Sequence, residues 1–114
     1  MQKDDLIYIA QMLDLARSAV AKVAAVDRRG FDADENLRLA VTHLVQTIGE
    51  AARHVSPAFR SAHPDIPWRE IIGMRDKVVH DYMHVDFDIV WDVATLELSP
   101  LRNKLEALVS PECP

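Results

Sequence analysis

Two apolar stripes at helical spacing constrain this chain more than any other feature. In the first, Leu6, Ile9, Leu13, Ala16, Val20 and Val23 recur at alternating intervals of three and four. In the second, Leu37, Val41, Leu44, Ile48, Ala51 and Val55 do the same. Alternating threes and fours put every stripe residue on one face of an α-helix, whereas a strand needs a period of two. The first stripe predicts a helix over roughly residues 4–26. Between the stripes, Asp27-Arg28-Arg29-Gly30 reads as a turn, with Gly30 a helix stop. Asp32 and Glu35 have capping-box spacing, with Asp in place of the usual Ser or Thr. Two long amphipathic helices joined by a short turn predict an antiparallel helical hairpin.

The second half is more broken. Ser56-Pro57 opens a short helical turn to about Ala62, and His63-Pro64-Asp65-Ile66-Pro67 is a proline loop. Pro67 suits the first position of a third helix, with Asp65 as a possible cap. That helix carries Trp68, Ile71, Ile72, Val78 and Val79 and is expected to run to about Tyr82. Asp86 or Asp88 starts a fourth, through Ile89, Val90, Val93 and Leu96. Pro100 lacks an amide donor, so a kink is expected there, or a restart with Ser99 as cap. Leu101, Leu105 and Leu108 continue the apolar face. The expectation is an all-α bundle of four to five helices forming one domain over residues 1–114. It consists of the hairpin, a third helix and a kinked C-terminal helix.

Composition removes several classes of function. Only three glycines occur, too few for a phosphate-cradling glycine loop. No run of about 20 apolar residues could span a membrane. Met-Gln-Lys-Asp-Asp at the start is not a secretory signal, and the lone Cys113 has no internal disulfide partner. A cytoplasmic protein is expected. The formal charge of −5 argues against a general nucleic-acid binder. Residues 53–77 nevertheless hold Arg53, Arg60, Arg69, Arg75 and Lys77 against Asp65, Glu70 and Asp76. Residues 78–114 hold only Arg102 and Lys104 against seven acids. A weakly basic middle on an acidic body can admit RNA locally, although ordinary solvated faces give the same count.

The reactive residues concentrate in Met74-Arg75-Asp76-Lys77-Val78-Val79-His80-Asp81-Tyr82-Met83-His84. On a straight helix, at about 100° per residue, Arg75 and Tyr82 share a stripe. Asp76, His80 and His84 form a neighbouring one. Local pairing of Asp76 with His80, and of Arg75 with nearby acids, is the plain alternative. A metal on Asp76, His80 and His84 is spaced acceptably but lacks further ligands, so none is expected. No serine occupies a nucleophile turn. His43 and His54 read as half-buried spacers on the second helix, and His63 as solvated. Glu50, mid-helix after Ile48-Gly49, needs a partner if buried. It either orients the reactive helix or faces water.

Arg75, four residues, His80, one residue, Tyr82 is an R-x(4)-H-x-Y motif. With Ile48-Gly49-Glu50-Ala51-Ala52, Ile66-Pro67-Trp68, Gly73-Met74-Arg75-Asp76, Val85-Asp86 and Val90-Trp91 in order, the chain resembles HepT-like toxins of the HEPN superfamily from about residue 5 to 108. The resemblance implies a homodimeric HEPN-like helical bundle with metal-independent endoribonuclease activity, acting on RNA without a cofactor. It implies that Arg75 and His80 are catalytic, with Asp76 and Glu50 as supporting candidates. It implies that Tyr82 is the tyrosine to which a partner nucleotidyltransferase antitoxin, of the MntA kind, attaches AMP. Many such toxins have Asn after the motif arginine, where this chain has Asp76. An acid there either tunes His80 or weakens phosphate binding.

The chemistry is sufficient in outline. RNA supplies its own 2'-hydroxyl nucleophile, an imidazole titrates near neutral pH, and a guanidinium fork can hold transition-state charge. One mismatch stands. Residues 75 and 80 lie about 140° apart on a straight helix, so a long Arg side chain, a distorted helix end or a second subunit must close the gap. Apolar residues on several sides of the third helix suggest such a second subunit. A non-catalytic RNA- or nucleotide-binding module and a plain dimerisation domain remain alternatives.

Overall fold

A computed structural model describes residues 3–81 and 84–109, with the side chains of Lys3, His80 and Asp81 outside the description. The hairpin is present. α1 (Lys3–Ala24) packs most extensively on α3 (Glu35–Arg53). Asp5, near the start of α1, accepts hydrogen bonds from the amide and hydroxyl of Ser56, just beyond α3, both at 2.8 Å. Tyr8 stacks on His54 at the C-terminal end of α3. The two helices are therefore antiparallel. Of the stripes, Ile9, Leu13, Ala16, Val23, Val41, Ile48, Ala51 and Val55 are buried. Met12 and Ala19 are buried beside them, because α1 also packs against the C-terminal helix and so needs a wider apolar face.

The hairpin turn differs from expectation. Residues read as a turn form a short helix, α2 (Arg28–Ala33), and Gly30 lies inside it. Asp27 caps it by accepting from the Gly30 amide, and fully buried Phe31 anchors it against Phe87 and Trp91. The cap of α3 is Asp34, which accepts from the Leu37 amide, and not Asp32. Asp32 instead pairs with Arg28, as does Asp88. Hydrogen bonds to Asp32 first and Asp88 second push the Arg28 guanidinium further above its already alkaline range.

After α4 (Pro57–Ala62), capped by Ser56 as expected, the third helix proves to be three elements. They are α5 (Trp68–Ile72), α6 (Met74–Val78) and a strand, β1 (Val79–Asp81). No side chain caps α5, so Asp65 has no capping role there. β1 pairs antiparallel with β2 (His84–Val85) in an irregular register, Val79 facing Val85 and Asp81 facing His84. The Asp86 amide also donates to the Val78 carbonyl. Two adjacent β-branched residues, Val78 and Val79, disfavour another helical turn, and Val79 is already extended at φ −116° and ψ 102°. The chain passes from α5 to α6 through Gly73. Trp68, Ile71, Met74 and Val78 are all buried within this chain. The argument for a second subunit from uncovered apolar residues on this helix therefore loses these four, while Ile72 and Val79 are half-buried and Tyr82 and Met83 lie outside the described residues.

Asp86 caps α7 (Phe87–Asp92). This helix runs through a π-helical turn (Val93–Glu97) directly into α8 (Leu98–Val109). The chain neither stops at Pro100 nor restarts with Ser99 as cap. The wider turn just upstream, where the Leu98 amide reaches back to the Val93 carbonyl, accommodates the missing proline amide. One contiguous core runs from Ile9 to Leu105. The architecture is an all-α bundle with a small two-stranded ribbon. Among the described residues no helix is long and apolar enough to cross a membrane.

Candidate active site

Gly49 sets the geometry of the site. A Cβ built there would lie 2.8 Å from the Ile71 carbonyl oxygen. Only a glycine lets α3 approach the backbone of α5 this closely. The next residue, Glu50, then reaches α6, where its Oε2 accepts from Arg75 Nη1 at 3.0 Å. Two residues 25 apart in sequence, both singled out from sequence, thus meet as an ion pair. Their side chains remain 60% (Arg75) and 41% (Glu50) exposed, so the guanidinium is held yet open to solvent. Glu50 uses one of the five N–H donors of the fork, leaving donors for a second anion. Glu50 is accordingly neither an unpaired buried acid nor a merely hydrated one.

Asp76 is exposed at the start of α6. His80 follows on β1 rather than on the helix, so the angle of about 140° computed for a straight helix does not describe the pair. The helix ends at Val78, and from Val79 onward the chain advances as a strand. The helix end before His80 is thus distorted, which is one of the three ways of closing the gap. The side chain of His80, and Tyr82 altogether, lie outside the described residues. His84 sits on β2, across the ribbon from Asp81, and so shares no helical stripe with Asp76. The proposed metal face does not exist as a helix face. Among the described residues no three His, Cys, Asp or Glu side chains are grouped to hold a metal.

The remaining histidines differ from the sequence reading. His43 and His54 are exposed rather than half-buried, the first beside Thr47 and the second stacked on Tyr8. His63 is half-buried against the Phe59 ring rather than solvated, and its carbonyl accepts from the Trp68 indole.

One feature had no role in the sequence reading. A groove of about 750 Å³ opens between α4 and α5, with Arg60, Arg69 and Gly73 among its lining residues. The only sequence signal for it was the basic balance of residues 53–77, which located charge but no cavity.

A family model for ribonuclease HepT-like proteins matches residues 9–108. A Thermococcus cleftensis protein named "Probable ribonuclease HepT" is 34% identical over 106 residues, covering 93% of this chain and 94% of its own. A "Putative RNase" of Caldanaerobacter subterraneus subsp. tengcongensis is 30% identical, with 92% and 94% covered. Another of that name from Methanocaldococcus jannaschii is 25% identical, with 92% and 96% covered. No solved structure matches the chain. With an arginine held open to solvent by a neighbouring helix and a family match spanning nearly its whole length, the chain belongs to the HepT-like ribonuclease family.

Proposed function

We propose that this protein is a metal-independent endoribonuclease toxin of a type VII-like toxin–antitoxin system, with Arg75 and His80 as its catalytic pair. The observation that supports this most directly is the Glu50–Arg75 contact, which fixes an exposed guanidinium at the start of α6, the short helix that gives way to the strand bearing His80. In the reaction, the 2'-oxygen of RNA attacks the adjacent phosphorus as its proton passes to a base. The bond from phosphorus to the 5'-oxygen breaks, and that oxygen takes up a proton. The products are a 2',3'-cyclic phosphate and a 5'-hydroxyl. His80 serves as general base or acid, and Arg75 holds the charge that builds on the phosphoryl oxygens. Asp76 and Glu50 support the pair.

Arg75→Ala and His80→Ala should each reduce cleavage in EDTA by about a thousandfold or more, the scale of a lost transition-state donor or proton carrier. Helical content should be retained, as read by circular dichroism. Undiminished cleavage by either folded variant would remove the assignment, whereas no cleavage by the wild-type chain would favour the binding-module alternative. Cleavage that required added Zn²⁺ or Mg²⁺ would reinstate a metal.

Control is assigned to Tyr82, two residues beyond His80. AMP attached to its phenol would add bulk and a negative phosphodiester where an RNA phosphate must sit. Co-expression with the cognate nucleotidyltransferase should raise the intact mass by one or more AMP units, locate them on Tyr82 by peptide mapping, and suppress cleavage. Modified protein that still cut RNA would contradict this. The functional unit is proposed to be a cytoplasmic homodimer, in which a second Arg75 and His80 stand near the first.

A further inference from the structure

The groove between α4 and α5 combines features that suit one nucleotide. Its walls are largely apolar, built from Pro57, Pro64, Pro67 and Ile72. Arg60 and Arg69 supply positive charge, and Glu70 is the acid among the lining residues. Among the described residues neither arginine takes part in an ion pair. The Arg60 Nε is buried and has no hydrogen-bond partner among them. A buried donor without an acceptor is costly, and in a native protein such a group calls for an explanation. Gly73, one of the lining residues, precedes Arg75 by two residues, which span at most about 7 Å of chain. The lining of the groove therefore comes within two residues of the arginine assigned to the scissile phosphate.

We infer that this groove is an RNA subsite for the nucleotide flanking the cleaved bond. The base or ribose lies against the proline-lined walls, and Arg60 and Arg69 hold its phosphate. This inference rests on the ribonuclease reading for its place beside the cut. An RNA strand fits better than a protein segment, because the groove pairs unmatched guanidinium groups with flat apolar walls. Phosphates and bases need those two surfaces side by side. It also explains how a chain of net charge −5 could hold a polyanion: the cations that matter are gathered in residues 53–77.

The test measures binding apart from cleavage. Fluorescein-labelled RNA oligonucleotides with 2'-O-methyl groups throughout cannot be cut, because the nucleophile is blocked. Their affinity is read by anisotropy over a range of salt concentrations. Arg60→Gln/Arg69→Gln should weaken binding about tenfold and flatten the log–log salt slope by about 0.7, the share of one single-strand phosphate. On cleavable RNA the same variant should raise KM about tenfold and leave kcat within about twofold. Because Arg60 is partly buried, Glu70→Gln provides a second readout at an exposed position. It should tighten binding two- to threefold by removing the acid from the groove. Wild-type affinity and salt slope in a folded Arg60→Gln/Arg69→Gln protein would overturn the proposal, as would an unaltered affinity in Glu70→Gln. Unchanged RNA binding with weakened self-association would overturn it too, and assign the groove to protein contact. Absence of cleavage by the wild-type chain, with binding still dependent on Arg60 and Arg69, would instead refute the ribonuclease reading and leave the groove an RNA site.

Discussion

Glu50 and Arg75 are too exposed for their pairing to matter much to stability. A surface pair of this kind contributes about 0–1 kcal/mol. Its value is orientation: an arginine side chain has many rotamers, and one carboxylate contact removes most of them while leaving further donors for phosphate. Glu50→Gln should therefore lower kcat by roughly tenfold, about 1.4 kcal/mol of lost transition-state stabilisation, while Tm moves by less than about 4 °C. Thermal melts and steady-state cleavage on one preparation decide it. A rise in kcat/KM would instead mean that Glu50 competes with phosphate for Arg75. At this scale the sequence was informative about identity and silent about partnership. Arg75 and Glu50 could be picked out as reactive types in distinctive surroundings. That they touch depends on how two distant segments cross. The burial of His63 and the exposure of His43 and His54 likewise depend on neighbours far along the chain.

The long elements were legible because their apolar periodicity repeats often enough to average out local exceptions. Short ones were not. A helix of six residues such as α2 has little intrinsic stability, so what fixes it is one cap, Asp27, and one buried ring, Phe31. The active-site segment carried a helical pattern past Val78, yet β-branching and pairing with β2 ended the helix there. The crossing of α3 over α5 depends on Gly49 more than on any stripe residue. Gly49→Ala would drive a methyl group into the Ile71 carbonyl, with backbone on both sides and no flexible side chain to yield. The expected cost is about 1–3 kcal/mol, the usual price of overpacking. Because Glu50 moves with its helix, cleavage should fall by at least as much as in Glu50→Gln. Chemical denaturation together with cleavage assays measures both. Full stability and activity in this variant would show that α3 does not need its close approach.

The whole molecule measures 43 × 32 × 19 Å along its principal axes. Helices with their side chains are about 10–12 Å across, so the thin dimension is two layers deep. A slab of this kind presents broad faces, and two-fold pairing of one face would suit the proposed homodimer. The large exposed apolar residues Ile7, Leu39 and Leu96 come from three separate elements, so they do not by themselves define a contact face. Light scattering should give twice the chain mass. If each site draws on both subunits, mixing inactive Arg75→Ala and His80→Ala proteins in equal amounts should restore about a quarter of wild-type activity, since half the dimers would carry one working site of two. A monomer that cleaved RNA at full rate would overturn the dimer. Inactive mixtures of a true dimer would place each pair within one subunit.

The packing of α8 on α1 has a consequence for synthesis. α1 leaves a ribosome well before α8, yet Leu101 and Leu105 of α8 are buried in the core that also contains Ile9 and Ala16 of α1. A nascent chain that stops before Leu98 already contains Glu50, Arg75 and His80 but has one side of α1 uncovered. The parts of the site are thus made well before the frame that holds them is closed. A chain that cuts RNA would in this way acquire its edge only once α8 has been made.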